Sequence, residues 1–545
     1  MPNRTDIDAA GQVGFIADID DTQLPQNAWS DTRNVRFYNG RANKMLGDKA
    51  VFEGSASVMG NPLALFPVQT ETSYLWVYPS DTRIYATDGD THADISESAT
   101  LSLTYTTNDD LRWNGGVLNG YAILNNGSDI PVYWNPSLSN DVAKLDYDQS
   151  AGTTWADITA APRCNVMRVF KEFAVAMDIT ENAVRNKRLL WWSHPASAVS
   201  MPKTWDYTKT NYFAAQVELA ETQGILIDAL TLKNDMAIYK DDSIYRMTYT
   251  GLPNIFTFRK EIETLGALSR DCVVTIFGSH LVFGNGDVIL HNFSETKSVL
   301  TRKTRRWLYN QISSTRYERS FVLLNQDRSE VWICFPETGS DYPSLALIWN
   351  WEHDTCTVRE LNNIVCGSVG IIDPGSEATT FDGQTGTFDT DFGAFGESSF
   401  NPSATRLALG QRSAATSPKI LLADSTEQFS GVDMTAYLER SALPLGRQMQ
   451  DGTARVDLGR IKQVTRIIPR IRATAGATMQ IMVGTQDHPN GAISWRHTGT
   501  FTPETDWKHD CRVSGRLIAV RFTSTTNISW SMEGFSLEWS LRGDR

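Results

Sequence analysis

The chain has 545 residues with 50 basic and 63 acidic side chains, a formal net charge of −13; at about 100–200 residues per domain this spreads over roughly three domains, unless a barrel or propeller extends one of them. Apolar residues at 41% and charged residues at 21% exclude a disordered chain, and 16 Trp, 17 Tyr and 23 Phe beside 38 Gly and 20 Pro favour strands and tight turns over long helices. The polar, then acidic start MPNRTDIDAAGQVGFIADIDD lacks the runs of a signal peptide, which predicts assembly in a cytoplasm; no stretch approaches the roughly 18 apolar residues of a membrane helix, so no span is expected.

The first motif in chain order is VGFIADIDDT, residues 13–22. An apolar strand followed by D-x-D-x-T matches aspartate-nucleophile phosphatases, where the first carboxylate attacks and the second moves the proton. Asp18 and Asp20 would fill those roles. That chemistry also needs a doubly wound α/β sheet, and the alternating strand–helix pattern of one is absent, so the motif is read as structural.

From Leu63 one kind of unit recurs: an apolar strand, a turn rich in Gly, Asn or Asp, then a strand carrying aromatics. Copies begin at Leu63, Gly115, Val166, Ile225, Val273 and Ser320, the last extended from Ser344. Their irregular spacing centres on roughly 50 residues, as for propeller blades of four strands, and six to seven blades are predicted; two stacked β-sandwiches are the alternative. The turns Asp88-Gly89, Asn125-Asn126-Gly127 and Gly284-Asn285-Gly286-Asp287 supply the positive φ that hairpin loops require. Lys240-Asp241-Asp242 is a tight turn by its context.

Between the second and third copies, Asp148, Ser150, Gly152, Thr154 and Trp155 have the spacing of the turns that lock sialidase-like blades, with Ser and Asp exchanged. A glycan-binding or glycan-cleaving propeller would need two carboxylates facing a sugar, which one imperfect turn does not supply. Residues 295–320, ETKSVLTRKTRRWLYNQISSTRYERS, are the best helix candidate, with Val299, Leu300, Trp307, Leu308 and Ile312 on one face. The cluster Arg302, Lys303, Arg305 and Arg306, followed by Arg316 and Arg319, is the one dense positive patch of an acidic chain. It is a candidate partner contact, against the simpler alternative of a solvated helix face.

Residues 371–419 turn to Gly, Ser, Thr, Asp and Phe and are predicted to be a loop or linker. Asp382, Asp389 and Asp391 in it could gather calcium, but Phe400 stands where an EF-hand loop has Glu, so a solvated loop is the preferred account. From 420 to the end, alternating residues in RIKQVTRIIPRIRA, TMQIMVG, AISWRHTG, RLIAVRFTS and FSLEWSL predict a β-sandwich. Cys164, Cys272, Cys334, Cys356, Cys366 and Cys511 show neither zinc nor disulfide spacing and are read as buried thiols. No phosphate loop, nucleophile elbow or H-E-x-x-H pair occurs, so no catalytic residue, cofactor or metal is predicted.

The segment LPQNAWSDTRNVRFYNGRANKMLG, residues 24–47, resembles the opening of the tail nozzle or hub (tail tubular) proteins of short-tailed bacteriophages. The matching positions are Leu24, Pro25, Trp29, Ser30, Asp31, Asn34, Val35, Arg36, Phe37 and Gly40. SEVWICFP with ALIWNWEHDTCTVREL resembles the family's late propeller blade, and RIIPRIRATAGATMQIMVGTQDHPNGAISW with VSGRLIAVRF its closing part. The resemblance implies an all-β chain: residues 1–50 packing on or closing a β-propeller of 51–370, the linker, and a C-terminal β-sandwich of 420–545. It also implies a structural virion protein without enzymatic activity, a homohexameric ring that extends the DNA conduit below portal and adaptor and retains, then ejects, the genome. Its partners would be itself, the tail adaptor, other tail proteins and fibres, with duplex DNA passing through the lumen without sequence-specific binding. A hub or DNA-retaining plug, or a glycan receptor protein, are the alternatives.

Overall fold

Six of the apolar repeats fold back on themselves as antiparallel meanders of four strands. The computed structural model describes residues 3–53, 57–70, 74–96, 105–107, 110, 112–372, 405–412, 417–429, 431–443, 445–446, 448–450, 453–455, 459–524 and 526–544. Among these the chain is all-β with a single α-helix, α1 (Arg305–Gln311). Sheets I to VI run, from first strand to last, over Phe66–Gln69 to His92–Asp94, Asn114–Leu118 to Ala143–Lys144, Arg163–Phe170 to Ala215–Glu218, Leu226–Leu232 to Phe256–Ile262, Val273–Ile276 to Thr296–Ser298, and Phe321–Asn325 to Thr355–Glu360.

The physical reason for stacking these sheets lies in their inner strands. Glu330–Phe335 and Leu345–Asn350 are buried along their whole length, and Phe173–Glu181 is buried over its first seven residues, so both faces of each meander need cover. A separate apolar cluster fills each contact between neighbouring sheets. Trp113, Leu124 and Val77 lie between I and II, Met167, Trp155 and Trp191 between II and III, and Phe170, Met236 and Phe256 between III and IV. Outer strands such as Thr296–Ser298 are left largely exposed.

Sheet VII is assembled from distant pieces. Ile364–Gly370, Arg406–Gln411 and Lys419–Thr426 pair in order, and Gly47–Val51 adds the fourth strand against Lys419–Thr426. Trp332 and Leu409 pack between VI and VII, and Trp76, Tyr78 and Ile420 between VII and I. Sheets I to VII therefore follow one another in a closed cycle, and the first strand of VII touches the first strand of I.

Among the described residues, three two-stranded ribbons accompany two larger sheets. One joins Arg460–Ala473, His509–Gly515 and Trp530–Asp544 to the N-terminal strands Asn3–Ile7, Val35–Tyr38 and Arg41–Lys44. The other joins Tyr437–Arg440, Met479–Gln486, Ser494–Phe501 and Leu517–Ser524 to Asp31–Arg33. Val464, Ile481, Val520, Phe522, Phe535 and Leu537 meet Trp29 and Phe37 in their shared core, which continues into the contact between sheets V and VI.

Several expectations are corrected. The helix predicted across 295–320 is confined to α1, because Thr296–Ser298 closes sheet V, Arg302 sits at φ 60°, and Ile312 is extended. Its apolar residues nevertheless point inward: Leu300 and Leu308 are fully buried. Residues 371–419 include the strand Arg406–Gln411, and the strand Lys419–Thr426, expected within a sandwich beginning at 420, belongs to sheet VII. Residues 1–50, expected to pack on or close the propeller, contribute strands to sheet VII and to both larger sheets and form a two-stranded sheet of Gly14–Phe15 and Ala28–Trp29. The predicted turns at Gly89, Gly127 and Gly286 all carry positive φ, and all six cysteines are buried free thiols. The calcium alternative at Asp382, Asp389 and Asp391 lies outside the described residues.

Candidate functional site

The residues of the Leu24–Gly47 stretch converge on one joint between sheet VI, sheet VII and the two larger sheets. Leu24 is buried, and its carbonyl accepts a hydrogen bond from the Arg440 guanidinium at 3.2 Å; Pro25 turns the chain so that its carbonyl accepts from Ala28 N at 3.1 Å. Trp29 is buried and donates its indole N–H to the Ala10 carbonyl at 2.6 Å. Asp31 accepts from the Tyr437 hydroxyl at 2.9 Å. Asn34, at φ 54°, donates to Glu360 Oε2 at 3.0 Å and to the Thr435 carbonyl at 2.7 Å, while its own Oδ1 accepts from Glu360 N. The left-handed backbone there suits Asn, whose short polar side chain tolerates it. Val35 is fully buried beside it.

Arg36 anchors a sealed ionic network. Its Nε and one terminal nitrogen pair with both carboxylate oxygens of Glu330 at 2.5 and 2.9 Å, and the same terminal nitrogen reaches Asp424 at 2.7 Å. Asp424 also accepts from Arg359 at 2.8 Å and from Asn325 at 2.9 Å, and Arg359 pairs with Asp48 at 2.5 Å while lying 4.4 Å over the Trp332 ring. Burial pushes against the Asp424 charge, yet Arg36 and Arg359 outweigh it and hold that carboxyl below its usual range. At Asp48 burial wins and the carboxyl is raised. Two arginines face three acids with no exposed member, the arrangement of a structural lock.

A second network lines the centre of the seven sheets, where a cavity of about 470 Å³ is bounded by residues at the first strand of every one. Arg168 pairs with Asp228 through two hydrogen bonds of 2.7 and 3.0 Å and with Asp271 at 2.8 Å. Arg112, 4% exposed, donates to the carbonyls of Val365, Arg270 and Ser320, bridging sheets V, VI and VII. Arg270 donates to the carbonyls of Asn165 and Asp110. Burial, with Arg112 and Arg168 close by, lowers the Arg270 guanidinium to about 10. The sequence reading missed this group. Its signal was available in Val166-Met167-Arg168-Val169-Phe170, where a charge interrupts an apolar run that must be buried.

The expected partner contact lies elsewhere, on the surface. Arg302 and Arg306 are exposed, whereas Lys303 pairs with Asp354 at 2.6 Å and Arg305 with Asp287 at 3.4 Å. Arg316 pairs with Asp341, and Arg319 is buried against Asp110. The patch is thus thinner than the sequence implied: its free cations are Arg302 and Arg306, among the described residues.

The D-x-D motif is explained by the same surface. Asp18 Oδ2 accepts from Arg306 N at 2.8 Å and Oδ1 from Trp307 N at 3.0 Å. Thr304 makes no side-chain cap, so Asp18 supplies the missing acceptor to the α1 N-terminus. Asp20 accepts from Asn490 at 2.6 Å. Both carboxylates hold chain segments together, which is a reason for their presence that needs no phosphatase chemistry. The sialidase-like turn is also structural. Asp148 accepts from Ser150 N at 3.0 Å and pairs with Lys209; Gly152 has φ 65°; Thr154 caps the turn Trp155–Asp157; and Trp155 is fully buried near Trp191 and Trp205. Burial opposes the Asp148 charge, but hydrogen bonds from Lys209 and Ser150 prevail and keep its carboxyl low.

Among the described residues no group of three His, Cys, Asp or Glu side chains is placed to hold a metal ion, and no helix is long and apolar enough to cross a membrane. No family model and no curated protein matches the chain. Many solved structures resemble it loosely, the following two among them. The AfRom2 CNH domain has 6% identity and a TM-score of 0.36, over 68% of this chain and 98% of that one. PorZ, a surface component of the type-IX secretion system of Porphyromonas gingivalis, has 9% identity and a TM-score of 0.32, over 71% of this chain and 42% of that one. Neither likeness carries an argument about what this chain does.

Proposed function

We propose that the chain is a structural tail protein of a short-tailed bacteriophage, a seven-bladed propeller with an appended β-sandwich, six copies of which form a ring around the DNA path. The observation that carries this reading is where the tail-protein-like segments lie. They are far apart in sequence, yet Asn34 meets Glu360, Arg36 meets Glu330, and Asp31–Arg33 lies in one sheet with Met479–Gln486 and Leu517–Ser524. Segments that resemble the family in order thus build a single joint, as expected if the resemblance reflects a common architecture.

The physics suits a load-bearing part. Gly47–Val51 closes sheet VII from the far end of the chain, so the cycle opens only if that strand is released. A 470 Å³ centre has the size of a small-molecule pocket. Duplex DNA therefore runs between subunits rather than through one. Identical stiff wedges in head-to-tail contact close into a ring when their rotation divides a circle. The net charge of −13 per copy would keep a phosphate backbone from adhering if its acidic faces turn inward. Arg302 and Arg306 then serve at a subunit or adaptor contact.

Light scattering and negative-stain imaging of the purified chain, alone and with a portal–adaptor complex, test this. A six-fold ring, free or on docking, supports the reading; a monomer under both conditions overturns it. The double variant Arg302→Glu/Arg306→Glu is expected to lose ring formation or docking at least tenfold in concentration dependence while its unfolding midpoint stays within about 0.5 kcal/mol of the parent, since exposed charges contribute little to the fold.

A further inference from the structure

The outer edge of the contact between sheets II and III opens into a cleft of about 590 Å³ that the conduit reading does not use. Tyr121 and Tyr133 stand on neighbouring strands of sheet II, on the face that meets sheet III. Both are half-buried, and their rings meet edge to face with centroids 6.1 Å apart. The opposite wall comes from residues 199–201, in the connection between the last two strands of sheet III. Asn119 fixes that connection: its side-chain amide donates to the Ser197 carbonyl at 2.9 Å and to the Ser200 carbonyl at 3.4 Å. The two walls are therefore tied together without a ligand, as in most small-molecule sites.

The polar groups of the cleft are of two kinds. Asn140 donates to the Asn135 carbonyl at 3.2 Å, Gln149 to Asp146 at 3.3 Å and the Ser200 hydroxyl to the Ser197 carbonyl at 2.9 Å, so these support the walls. The Asn135 side-chain amide, the Asp141 carboxylate and the Tyr121 and Tyr133 hydroxyls make no hydrogen bond to the protein among the described residues. None of the four is sealed from solvent: Asn135 and Asp141 are exposed, and both hydroxyls keep accessible surface. Burial, with Asp146 and Tyr121 near it, holds the Tyr133 phenol above its usual value, so it stays a hydroxyl that both donates and accepts.

We propose that this cleft is a binding site for a short neutral saccharide, whose ring lies against Tyr121 and Tyr133 while its hydroxyls meet Asn135 and Asp141. A pyranose has an apolar C–H face and a rim of hydroxyls that donate and accept, which matches aromatic rings bordered by an uncommitted amide, carboxylate and two phenols. The wall carries no cation, which disfavours phosphate esters and nucleotides. Hydroxyl, amide and carboxylate groups outnumber its apolar side chains, which disfavours a lipid. The volume lies in the range of small-molecule sites. Asp141 is the one carboxylate of the wall, whereas glycoside cleavage uses a pair, so the site binds without cutting. This inference stands independently of the tail reading, because it concerns one subunit and needs no ring.

The probes are the methyl glycosides of glucose, galactose and mannose with maltose and lactose, added to the full chain and followed by saturation-transfer NMR; sorbitol and glucose 6-phosphate are the comparisons. At least one of the five sugars is expected to bind saturably, with a Kd of about 1 mM and transfer strongest at its ring C–H protons. Sorbitol, which has the hydroxyls without the apolar ring face, is expected to bind at least tenfold more weakly, and glucose 6-phosphate no more tightly than the glucoside. Ala143 is exposed on the outer strand of sheet II, in register with Tyr133. Ala143→Trp fills the cleft and is expected to abolish binding, and Tyr133→Ala to weaken it about tenfold. Tyr38→Ala, at an exposed tyrosine outside the cleft, is expected to change nothing. Binding that survives Ala143→Trp, that disappears with Tyr38→Ala, or that favours glucose 6-phosphate places the ligand elsewhere and overturns the proposal. So does a parent chain that binds none of the five sugars. If Tyr133→Ala fails to fold, the Ala143→Trp result alone decides.

Discussion

The two buried charge networks of this protein use the same residue types to opposite ends. At the joint, Arg36 and Arg359 have every acid within reach and are sealed between sheets VI and VII. At the centre, Arg112 and Arg168 stand at the wall of a cavity, and each network, among the described residues, leaves one buried guanidinium Nε–H without an acceptor, that of Arg112 here and that of Arg359 at the joint. The first gathers three carboxylates around two guanidiniums and ties together strands far apart in the chain, whereas the second borders an open volume, where its cations reach main-chain carbonyls as well as carboxylates. The difference comes from register. Asp48 and Asp424 sit on paired strands of sheet VII and Glu330 on a strand of sheet VI, so their side chains meet between packed layers, whereas Arg112, Arg168, Asp228 and Asp271 lie at or just before first strands, at the wall of the central cavity.

The contrast is broken or sharpened by removing one cation from each. Arg359→Met strands the buried Asp48 without its partner, leaves Asp424 to Arg36 and Asn325, and also loses the Trp332 contact. It is expected to cost about 3–5 kcal/mol, read from urea unfolding. Arg112→Met strands three carbonyls and removes a longer ion pair of 4.0 Å with Asp271, which keeps Arg168, so a smaller loss of about 1–3 kcal/mol is expected. Equal losses would mean that the cavity network is as much a lock as the joint.

A third cluster sets a scale between them. Tyr239 lies within 2.6 Å of His280 Nδ1 and 2.9 Å of His291 Nε2, with His280 Nε2 on the Thr231 carbonyl. Both rings are buried between sheets IV and V, and burial lowers each to about 4. The neighbouring His280 adds to the fall at His291. A lowered base gives stability that is complete above the unfolded value near 6.5 and is lost as the pH falls towards 4, because the unfolded chain takes up the protons first. The unfolding free energy is expected to drop by about 3 kcal/mol per ring across that window. His291→Phe should flatten the lower part of the curve. An unchanged pH profile in that variant would remove the assignment.

The smallest effect belongs to the α1 cap. Asp18→Ala leaves Arg306 N and Trp307 N without their acceptor and is expected to cost about 1 kcal/mol. The accompanying change is a loosening of Arg306, seen as faster amide exchange at 306 and 307, with no change at the joint or the cavity.

Much of the molecule was legible in its residues. The positions of Gly89, Gly127 and Gly286 marked turns because only a residue tolerant of positive φ closes them cheaply, and the runs from Val166, Ile225 and Ser320 marked strands because both faces are apolar. Trp29 and Arg36 stood out through the tail-protein resemblance, but what they touch was not readable. The helix over 295–320 failed because periodicity reports an apolar face and not whether the backbone turns: Val299 and Leu300 reach the core from an extended strand end and a turn. Composition and local pattern carry no sign that Gly47–Val51 pairs with Lys419–Thr426, more than 360 positions away.

Composition, alternation and turn chemistry act over a few residues, so the chain by itself determined that this is an all-β protein of repeated meanders with buried thiols. Which strands meet across the chain was decided by the folded state, where Arg36 finds Glu330 at a separation of 294 positions and Asn34 finds Glu360 at 326. Such pairings minimise buried, unmatched charge and apolar surface for the whole molecule at once, and no local pattern encodes a minimum of that kind.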